Sequence, residues 1–451
     1  MTERIVILGA GESGTGAALL AKKKGYDVFV SDQGMIKDKY KKELGDNTID
    51  FEEGSHTESK IVNAILIIKS PGIPDKAEII KKVKAAHIPV IDEIEFASRY
   101  VDGKIIAITG TNGKTTTTLL TYHLLKNAGF NVALGGNVGF SMARQVANEK
   151  HDWYVLEMSS FQLDGIREFK PWIAVLLNIT PDHLDRYEYN LQNYINSKFR
   201  ITRNMGTQEH FIYYADDEII GKEITSQRIQ AKTLPVSLKV DAAVPVHFDG
   251  LEMAFNLKDK FKILQGDTTL KGPHNLINTM AAVSAAFLAG VSLEKIRENL
   301  KTFKNAPHRL EPVAIINDVE FINDSKATNV DSVVYALGSF DKPLVWIAGG
   351  VDKGNDYNII KRQVQEKVRI LICLGKENDK LKKSFGDVVH TIKETQSVHE
   401  LVRMALREAQ KGDIVLLSPA CASFDLFKNY EDRGDQFRAA VLELKKEVEN
   451  K

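Results

Sequence analysis

The run Gly110-Thr111-Asn112-Gly113-Lys114-Thr115-Thr116 carries the most explicit chemistry in this sequence. It follows the apolar stretch Ile105–Ile108 and opens a helical pattern from about Thr115 to Ala128, with Gly129 where a C-cap glycine belongs. A strand that enters a helix through glycines turns backbone N–H groups and a helix N-terminus toward one point, where a phosphate is held. Lys114 adds a positive charge for the β- and γ-phosphates of ATP, and Thr115 adds a hydroxyl for Mg²⁺. A full Walker A loop has a further glycine where Ile108 stands, so this loop is a shorter variant.

Two more groups belong at the same sheet edge. Glu157 follows the strand Trp153–Leu156. His183 lies in Thr180-Pro181-Asp182-His183-Leu184-Asp185, after the strand Ile173–Leu177. A carboxylate and an imidazole there can hold Mg²⁺ against a transferred phosphate. Lys198, in Tyr194-Ile195-Asn196-Ser197-Lys198-Phe199-Arg200, reads from its neighbours as an ordinary solvated helix lysine.

A second glycine-rich turn, Gly9-Ala10-Gly11-Glu12-Ser13-Gly14, follows the strand Ile5–Leu8 and has dinucleotide-fingerprint spacing. Asp32 ends the next strand, Val28–Val30, where a ribose-binding acid would be. Such a turn can hold any diphosphate, including that of a UDP-sugar. Two classes of function are therefore open, an ATP-dependent enzyme acting on a nucleotide-linked substrate and a nicotinamide-dependent dehydrogenase. The C-terminal third shows no hydride-transfer constellation. It offers instead three polar loops after strands: Asn323–Asn329, Gly349–Gly354 and Ser418–Ser423. Ligands of open parallel sheets bind outside the carboxyl ends of strands, so these loops point to one shared site.

The elements that must position these residues alternate strand and helix throughout, which predicts an α/β chain. Its 451 residues suit about three domains of ~150. The expected division is a Rossmann-like N-terminal domain over 1–98, a central P-loop-type mononucleotide-binding domain over 99–305 and a Rossmann-like C-terminal domain over 306–451. Strands are expected at Ala64–Ile68 and Pro89–Ile91, and at Val319–Ile322, Leu344–Ile347, Arg369–Cys373 and Ile414–Leu417, with a long helix from about Asn275 to Ala289. The stretch from Tyr213 to Leu270 has short apolar pieces without a period and reads as irregular β. Lys+Arg and Asp+Glu balance at 60 each, so no basic excess calls for nucleic acid or an anionic membrane. No apolar run approaches the ~18 residues of a membrane span, and the N-terminus lacks signal-peptide character. Two cysteines, Cys373 and Cys421, fit a reducing, cytoplasmic setting.

Together, Gly110–Thr116, Glu157, Thr180–Asp185, His274-Asn275 with Asn278, His308-Arg309-Leu310-Glu311 and Asp324–Asn329 resemble the Mur ligases of peptidoglycan assembly, in that family's three-domain order. Folylpolyglutamate synthases share the general motifs. Ser70-Pro71-Gly72, Gly349–Lys353 and Ser418–Ser423 followed by Phe427-Lys428-Asn429-Tyr430 look like the branch that adds D-glutamate.

The resemblance implies activation of the carboxylate of UDP-N-acetylmuramoyl-L-alanine by ATP as an acyl phosphate, then attack by the amine of D-glutamate. It implies that Lys114 and Thr115 serve phosphate and Mg²⁺, within the ATP-binding run Gly110, Thr111, Asn112, Gly113, Lys114, Thr115 and Thr116. Glu157 and His183 would be metal ligands, and Lys198 a carbamylated lysine helping to organise the second of two Mg²⁺ sites. Asn278, Arg309 and Asp324 would take adenine and ribose. Ser13, Thr15, Asp32, Ser70, Gly72 and Asn137 would take the UDP-sugar. Thr328, Lys353, Ser423 and Tyr430 would take D-glutamate, with Lys326 close by. A monomer, with neither nucleic acid nor membrane as partner, is expected.

Overall fold

The computed structural model describes residues 3–241 and 243–450. The N-terminal sheet has five parallel strands in the order Asp50–Glu53, Asp27–Asp32, Arg4–Leu8, Leu66–Lys69, Val90–Asp92. Arg4–Leu8 sits in the middle because Ile5, Val6, Ile7 and Leu8 are apolar on both faces. Ile5 and Ile7 enter one core, Val6 and Leu8 another. Such unbroken apolar runs are what helix-covered parallel strands require. The expected strand at Ala64–Ile68 begins only at Leu66.

The central sheet has nine strands in the order Lys260–Leu264, Glu252–Asn256, Val246–Phe248, Lys232–Ser237, His210–Tyr214, Ile173–Leu176, Lys104–Thr109, Trp153–Glu157, Val132–Gly136. All pairs are parallel except the two that join Val246–Phe248, Glu252–Asn256 and Lys260–Leu264. The segment expected to be irregular is therefore regular. It contains a helix, Glu218–Ser226, whose N-cap Asp217 accepts from the N–H groups of Ile219 and Ile220. In Lys260–Leu264, Phe261 and Ile263 point inward between exposed neighbours, a period of two over only five residues.

The C-terminal sheet has six strands in the order Glu311–Ile316, Val319–Asn323, Ile414–Ala420, Leu344–Gly349, Val368–Leu374, Thr391–Thr395; only the first pair is antiparallel. Four of these strands were expected. Glu311–Ile316 and Thr391–Thr395 are the two edges, and both are only partly buried.

Two compact units result. One runs to Thr269 and takes in Leu276–Phe303; the other comprises Leu270–Asn275 and the chain from Lys304 onward. In the first unit the helix Glu12–Lys23 packs on the helix Met142–Asn148. Gly16 allows this, since a Cβ there would stand 2.0 Å from Ser141 Oγ. The N-terminal and central sheets thus share one continuous core. No described helix is long and apolar enough to cross a membrane.

Candidate active site

The glycine loop after Lys104–Thr109 has a geometry that could cradle a phosphate. Strand residues Ile106, Ala107 and Ile108 are fully buried, each large side chain contributing ~1.5–3 kcal/mol, so the loop hangs on a rigid base. Gly113 caps the helix Lys114–Asn127 with φ 82°, and a Cβ there would stand 2.3 Å from Asn278 Oδ1. Only glycine meets both demands. Asn278 is itself buried and lies 3.2 Å from Thr117 Oγ1. Asn178 braces the loop from the neighbouring strand end: its Oδ1 accepts from Asn112 N at 2.8 Å and its Nδ2 donates to Asn112 O at 3.1 Å. Thr111 Oγ1 accepts from Thr180 N at 3.0 Å. Lys114 Nζ donates to the carbonyls of Gly110 and Thr111 at 2.9 and 2.8 Å, so its charge lies over the loop. Thr115 and Thr116 open the helix, Thr115 half-buried and Thr116 buried.

Ile173–Leu176 and Trp153–Glu157 flank Lys104–Thr109 in parallel, so their carboxyl ends share the loop's edge. Glu157 is buried there. Its Oε1 accepts from Asn137 Nδ2 at 2.7 Å, while its Oε2 is buried without a partner. An uncompensated carboxylate oxygen costs free energy unless something positive meets it. That orphan oxygen fits Mg²⁺, a hard cation that takes one or two carboxylates together with substrate phosphate. His183 adopts a left-handed backbone, φ 52°, with its half-exposed ring edge-on to Phe161. Among the described residues, no three His, Cys, Asp or Glu side chains are gathered as a metal cage.

Lys198 corrects the solvated reading. It is 1% exposed, and its Nζ donates to Gly110 O at 2.8 Å and Thr109 Oγ1 at 3.2 Å. Burial, then the charge of Lys114, push its ammonium well below the ordinary lysine value, against the attraction of Asp182, Glu157 and Asp164. The helix Leu191–Phe199 turns Tyr194, Ile195, Ser197, Lys198 and Phe199 inward. A polar pair in the middle of that face hid its direction.

The N-terminal sheet edge carries a cavity of about 740 Å³ lined by Gly9, Gly11, Asp32, Ser70 and Gly72, among others. Gly9 has φ 92°, and a Cβ there would meet Ser70 Oγ at 2.5 Å; a Cβ on Gly14 would meet Gly9 O at 1.7 Å. Gly11 has open space around it. Asp32 braces the turn, Oδ2 accepting from Ala10 N at 2.6 Å and Oδ1 from Gly34 N at 2.8 Å. Ser13 and Thr15 lie in the helix and do not line the cavity; Thr15 Oγ1 donates back to Ala10 O at 3.4 Å. Asn137 is apart from this group, beside Glu157.

In the second unit, Val319–Asn323, Ile414–Ala420 and Leu344–Gly349 are neighbouring parallel strands, so the three polar loops share one edge. Arg433 ties them. It is 1% exposed, and donates to Ser325 O and Oγ at 2.9 and 3.0 Å, to Cys421 O at 3.2 Å and to Gly349 O at 3.3 Å. Burial lowers its guanidinium to about 10, which leaves it charged at neutral pH. Asp324 is pushed up to about 7 by burial, against hydrogen bonds from Ser418 and Leu310 and the charges of Arg309 and Arg433. Lys326 Nζ lies 3.7 Å over the Tyr430 ring. Ser423 is buried, Thr328 half-buried and Lys353 exposed. The loop around Lys353 is shaped by Asp352, which accepts from Gly354 N and Asn355 N at 2.7 and 3.0 Å.

Three family models match in succession: a MurD N-terminal domain over residues 4–79, a Mur ligase middle domain over 108–286, and a Mur ligase glutamate ligase domain over 308–421. A curated protein of Christiangramia forsetii, UDP-N-acetylmuramoylalanine–D-glutamate ligase, is 53% identical over 98% of this chain and 100% of its own. One of the same name from Cytophaga hutchinsonii is 54% identical over the same shares. The chain belongs to the Mur ligase family. Its fold agrees with solved members: the UDP-N-acetylmuramate-alanine ligase MurC of Thermotoga maritima superposes with TM-score 0.63 at 18% identity, over 99% of this chain and 100% of that one. The MurF ligase of the same organism, solved with ADP, gives 0.62 at 14%, over 100% and 98%.

For a Mur ligase, the motifs quoted from sequence capture the residues at strand ends and miss those that hold the loops. Asn178 and Arg433 act across tens of residues, 66 between Asn178 and Asn112 and 108 between Arg433 and Ser325. Arg433 sits in Glu431-Asp432-Arg433-Gly434-Asp435, which reads as a solvated charge run. Its one signal is Gly434, where a Cβ would stand 2.1 Å from His308 Nδ1, so that turn of helix must be packed tightly.

Proposed function

We propose that this chain joins D-glutamate to UDP-N-acetylmuramoyl-L-alanine in an ATP-dependent amide ligation of peptidoglycan precursor synthesis. The observation that carries this reading is the full-length identity above 50% to D-glutamate ligases, combined with a phosphate loop whose edge holds a buried, unpaired carboxylate oxygen. A carboxylate at neutral pH is a poor electrophile. Attack of its oxygen on the γ-phosphorus of ATP releases ADP and turns it into an acyl phosphate. The neutral amine of D-glutamate then adds to the carbonyl carbon, loses a proton, and inorganic phosphate leaves as the amide forms.

Lys114 and the loop N–H groups stabilise charge on the transferred phosphoryl group. Glu157, Thr115 and His183 are the residues that would hold Mg²⁺, which when bound neutralises phosphate charge. Lys198 is buried in a way that favours its neutral amine, the form that adds CO₂ with loss of a proton. The resulting carbamate would supply another hard oxygen donor at a second Mg²⁺. The N-terminal cavity takes the UDP-sugar, with Asp32, Ser70 and Gly72 at its wall. In the second unit Thr328, Lys353, Ser423 and Tyr430 take D-glutamate, whose two carboxylates each need a partner when desolvated. Two free buried cysteines support a reducing, cytoplasmic setting. The enzyme acts as a monomer, which sedimentation velocity tests.

The deciding assay is ADP release at saturating ATP and muramyl substrate with the amino acid varied. D-Glutamate supports turnover, and L-glutamate and D-alanine do not. Lys353→Ala raises the D-glutamate requirement ~10²-fold, the scale of a charged hydrogen bond lost, with muramyl-substrate affinity unchanged. Preference for L-glutamate or a folate acceptor would move the chain to the polyglutamate synthases.

A further inference from the structure

His56 stands just beyond the strand Asp50–Glu53 and lines the N-terminal cavity together with Gly11 and Asp32. Behind it runs a chain of three groups. Ser31 and Glu52 are direct partners on adjacent parallel strands. Ser31, fully buried, donates its hydroxyl to Glu52 Oε1 at 2.7 Å, and the same hydroxyl oxygen lies 2.7 Å from His56 Nδ1. Glu52 Oε1 also accepts from Thr57 N at 2.7 Å, and Oε2 lies 3.7 Å from Lys60 Nζ.

The proton positions follow from counting. Burial works to raise the Glu52 carboxyl, but hydrogen bonds from Thr57 and Ser31 and the charge of Lys60 outweigh it and hold it low. Glu52 is therefore ionised and can only accept. A serine hydroxyl has one proton, and that proton goes to Glu52. The contact between Ser31 and His56 then requires a proton on Nδ1. Burial lowers the His56 imidazole from its ordinary value, against the charges of Glu52 and Asp32, so the ring is neutral near pH 7. A neutral imidazole with its proton on Nδ1 keeps a lone pair on Nε2. Among the described residues nothing donates to that Nε2.

We propose that His56 is a specificity residue for the nucleoside half of the UDP-muramyl substrate, its Nε2 accepting a hydrogen bond from a nucleoside donor, the imide N–H of uracil or a ribose hydroxyl. This rests on the reading that the cavity holds a UDP-sugar. Ser31 and Glu52 are positioning residues that fix the tautomer. A ligand that presents a lone pair where the donor should be, as cytosine does at the imide position, leaves two acceptors facing each other and is rejected.

The test is calorimetric titration of the intact protein with UDP, CDP, N3-methyl-UDP and 2′-deoxy-UDP. The native protein binds UDP about 5–10-fold tighter than one of the two last analogues, and that analogue identifies the donor. His56→Ala loses about the same factor for UDP and brings that preference within twofold. His56→Gln, whose amide oxygen can occupy the place of Nε2, keeps most of the affinity. His56→Asn, which reaches only the place of Nδ1, does not. In turnover the muramyl-substrate KM rises and kcat holds within twofold. Nitrogen NMR of the imidazole shows the Nδ1-protonated form in the native chain and a mixture in Ser31→Ala. Unchanged UDP affinity in His56→Ala, or an Nε2-protonated ring in the native chain, overturns the proposal while the ligase reading stands. A native chain that binds ATP but no UDP overturns both.

Discussion

The turn after Arg4–Leu8 and the turn after Lys104–Thr109 both lead a parallel strand into a helix through glycines, yet their electrostatics are opposed. In the first, the helix begins with Glu12, and Asp32 takes the N–H of Ala10. Arg144 donates to Glu12 Oε1 at 2.6 Å and pairs also with Glu43, so the acid is neutralised by a partner from another helix. In the second, no acid stands in the first helical turn, and the bracing group is the uncharged amide of Asn178. Lys114 adds a cation over the loop. A carboxylate bracing a turn uses up an N–H and repels an anion; an amide braces without that repulsion. The second turn can therefore stabilise charge as it develops on a phosphoryl group. The first is suited to hold a nucleotide only by shape and by several modest contacts.

The largest effect that can break this comparison is at Lys114. Lys114→Ala is expected to lower kcat for ADP release by ~10³-fold, with the fold intact. ADP release near the native rate would mean that the loop is a structural turn only. Next is Lys198→Ala, expected to cost ~10²-fold and to recover in part with added formate or acetate, which can occupy the oxygen position that the carbamate would supply. Full activity in that variant without any added acid would remove Lys198 from the site.

These two lysines also show what the sequence could tell. Lys114 is legible because its neighbours in the chain are its neighbours in space: strand, glycines and helix lie within one short run. Lys198 is not, because its burial depends on Thr109 and Gly110, which reach it only when the helix Leu191–Phe199 folds onto the sheet. The same limit explains the fold. Central strands such as Leu344–Gly349 are apolar throughout and could be read directly. The edge strands are only partly buried: Thr391–Thr395 carries no such run, and Glu311–Ile316 opens on a glutamate and a proline before its short apolar stretch. The three polar loops of the second unit were placed by their motifs, whereas the guanidinium of Arg433 that ties them together comes from a helix far along the chain.

A smaller effect is expected in the first turn. Asp32→Ala frees the N–H groups of Ala10 and Gly34 and loosens the wall of the cavity. UDP-muramyl affinity should fall ~10-fold by calorimetry, the scale of one or two hydrogen bonds, while ATP affinity stays within twofold. A loss of ATP affinity as large as the loss of UDP-sugar affinity would show that the two turns do not serve separate ligands.

The finest test compares two glycines. Gly113 has φ 82° and faces Asn278, so Gly113→Ala must strain the backbone and displace a neighbour, at a cost of at least ~1–2 kcal/mol. Gly11 has φ −77°, an ordinary value for any residue, and nothing within 4 Å of an added Cβ. Folding alone gives no reason for glycine there. Gly11→Ala should shift stability by less than ~0.5 kcal/mol in urea unfolding, because the unfolded chain loses freedom while the N-cap is slightly worse. The added methyl would nevertheless stand in the cavity where a diphosphate must approach the backbone. UDP-muramyl affinity should therefore drop several-fold with stability unchanged, the signature of a glycine kept for its ligand. If the affinity holds as well, the ligand does not touch this turn, and the nucleotide must be gripped from the Asp32 and Ser70 walls instead.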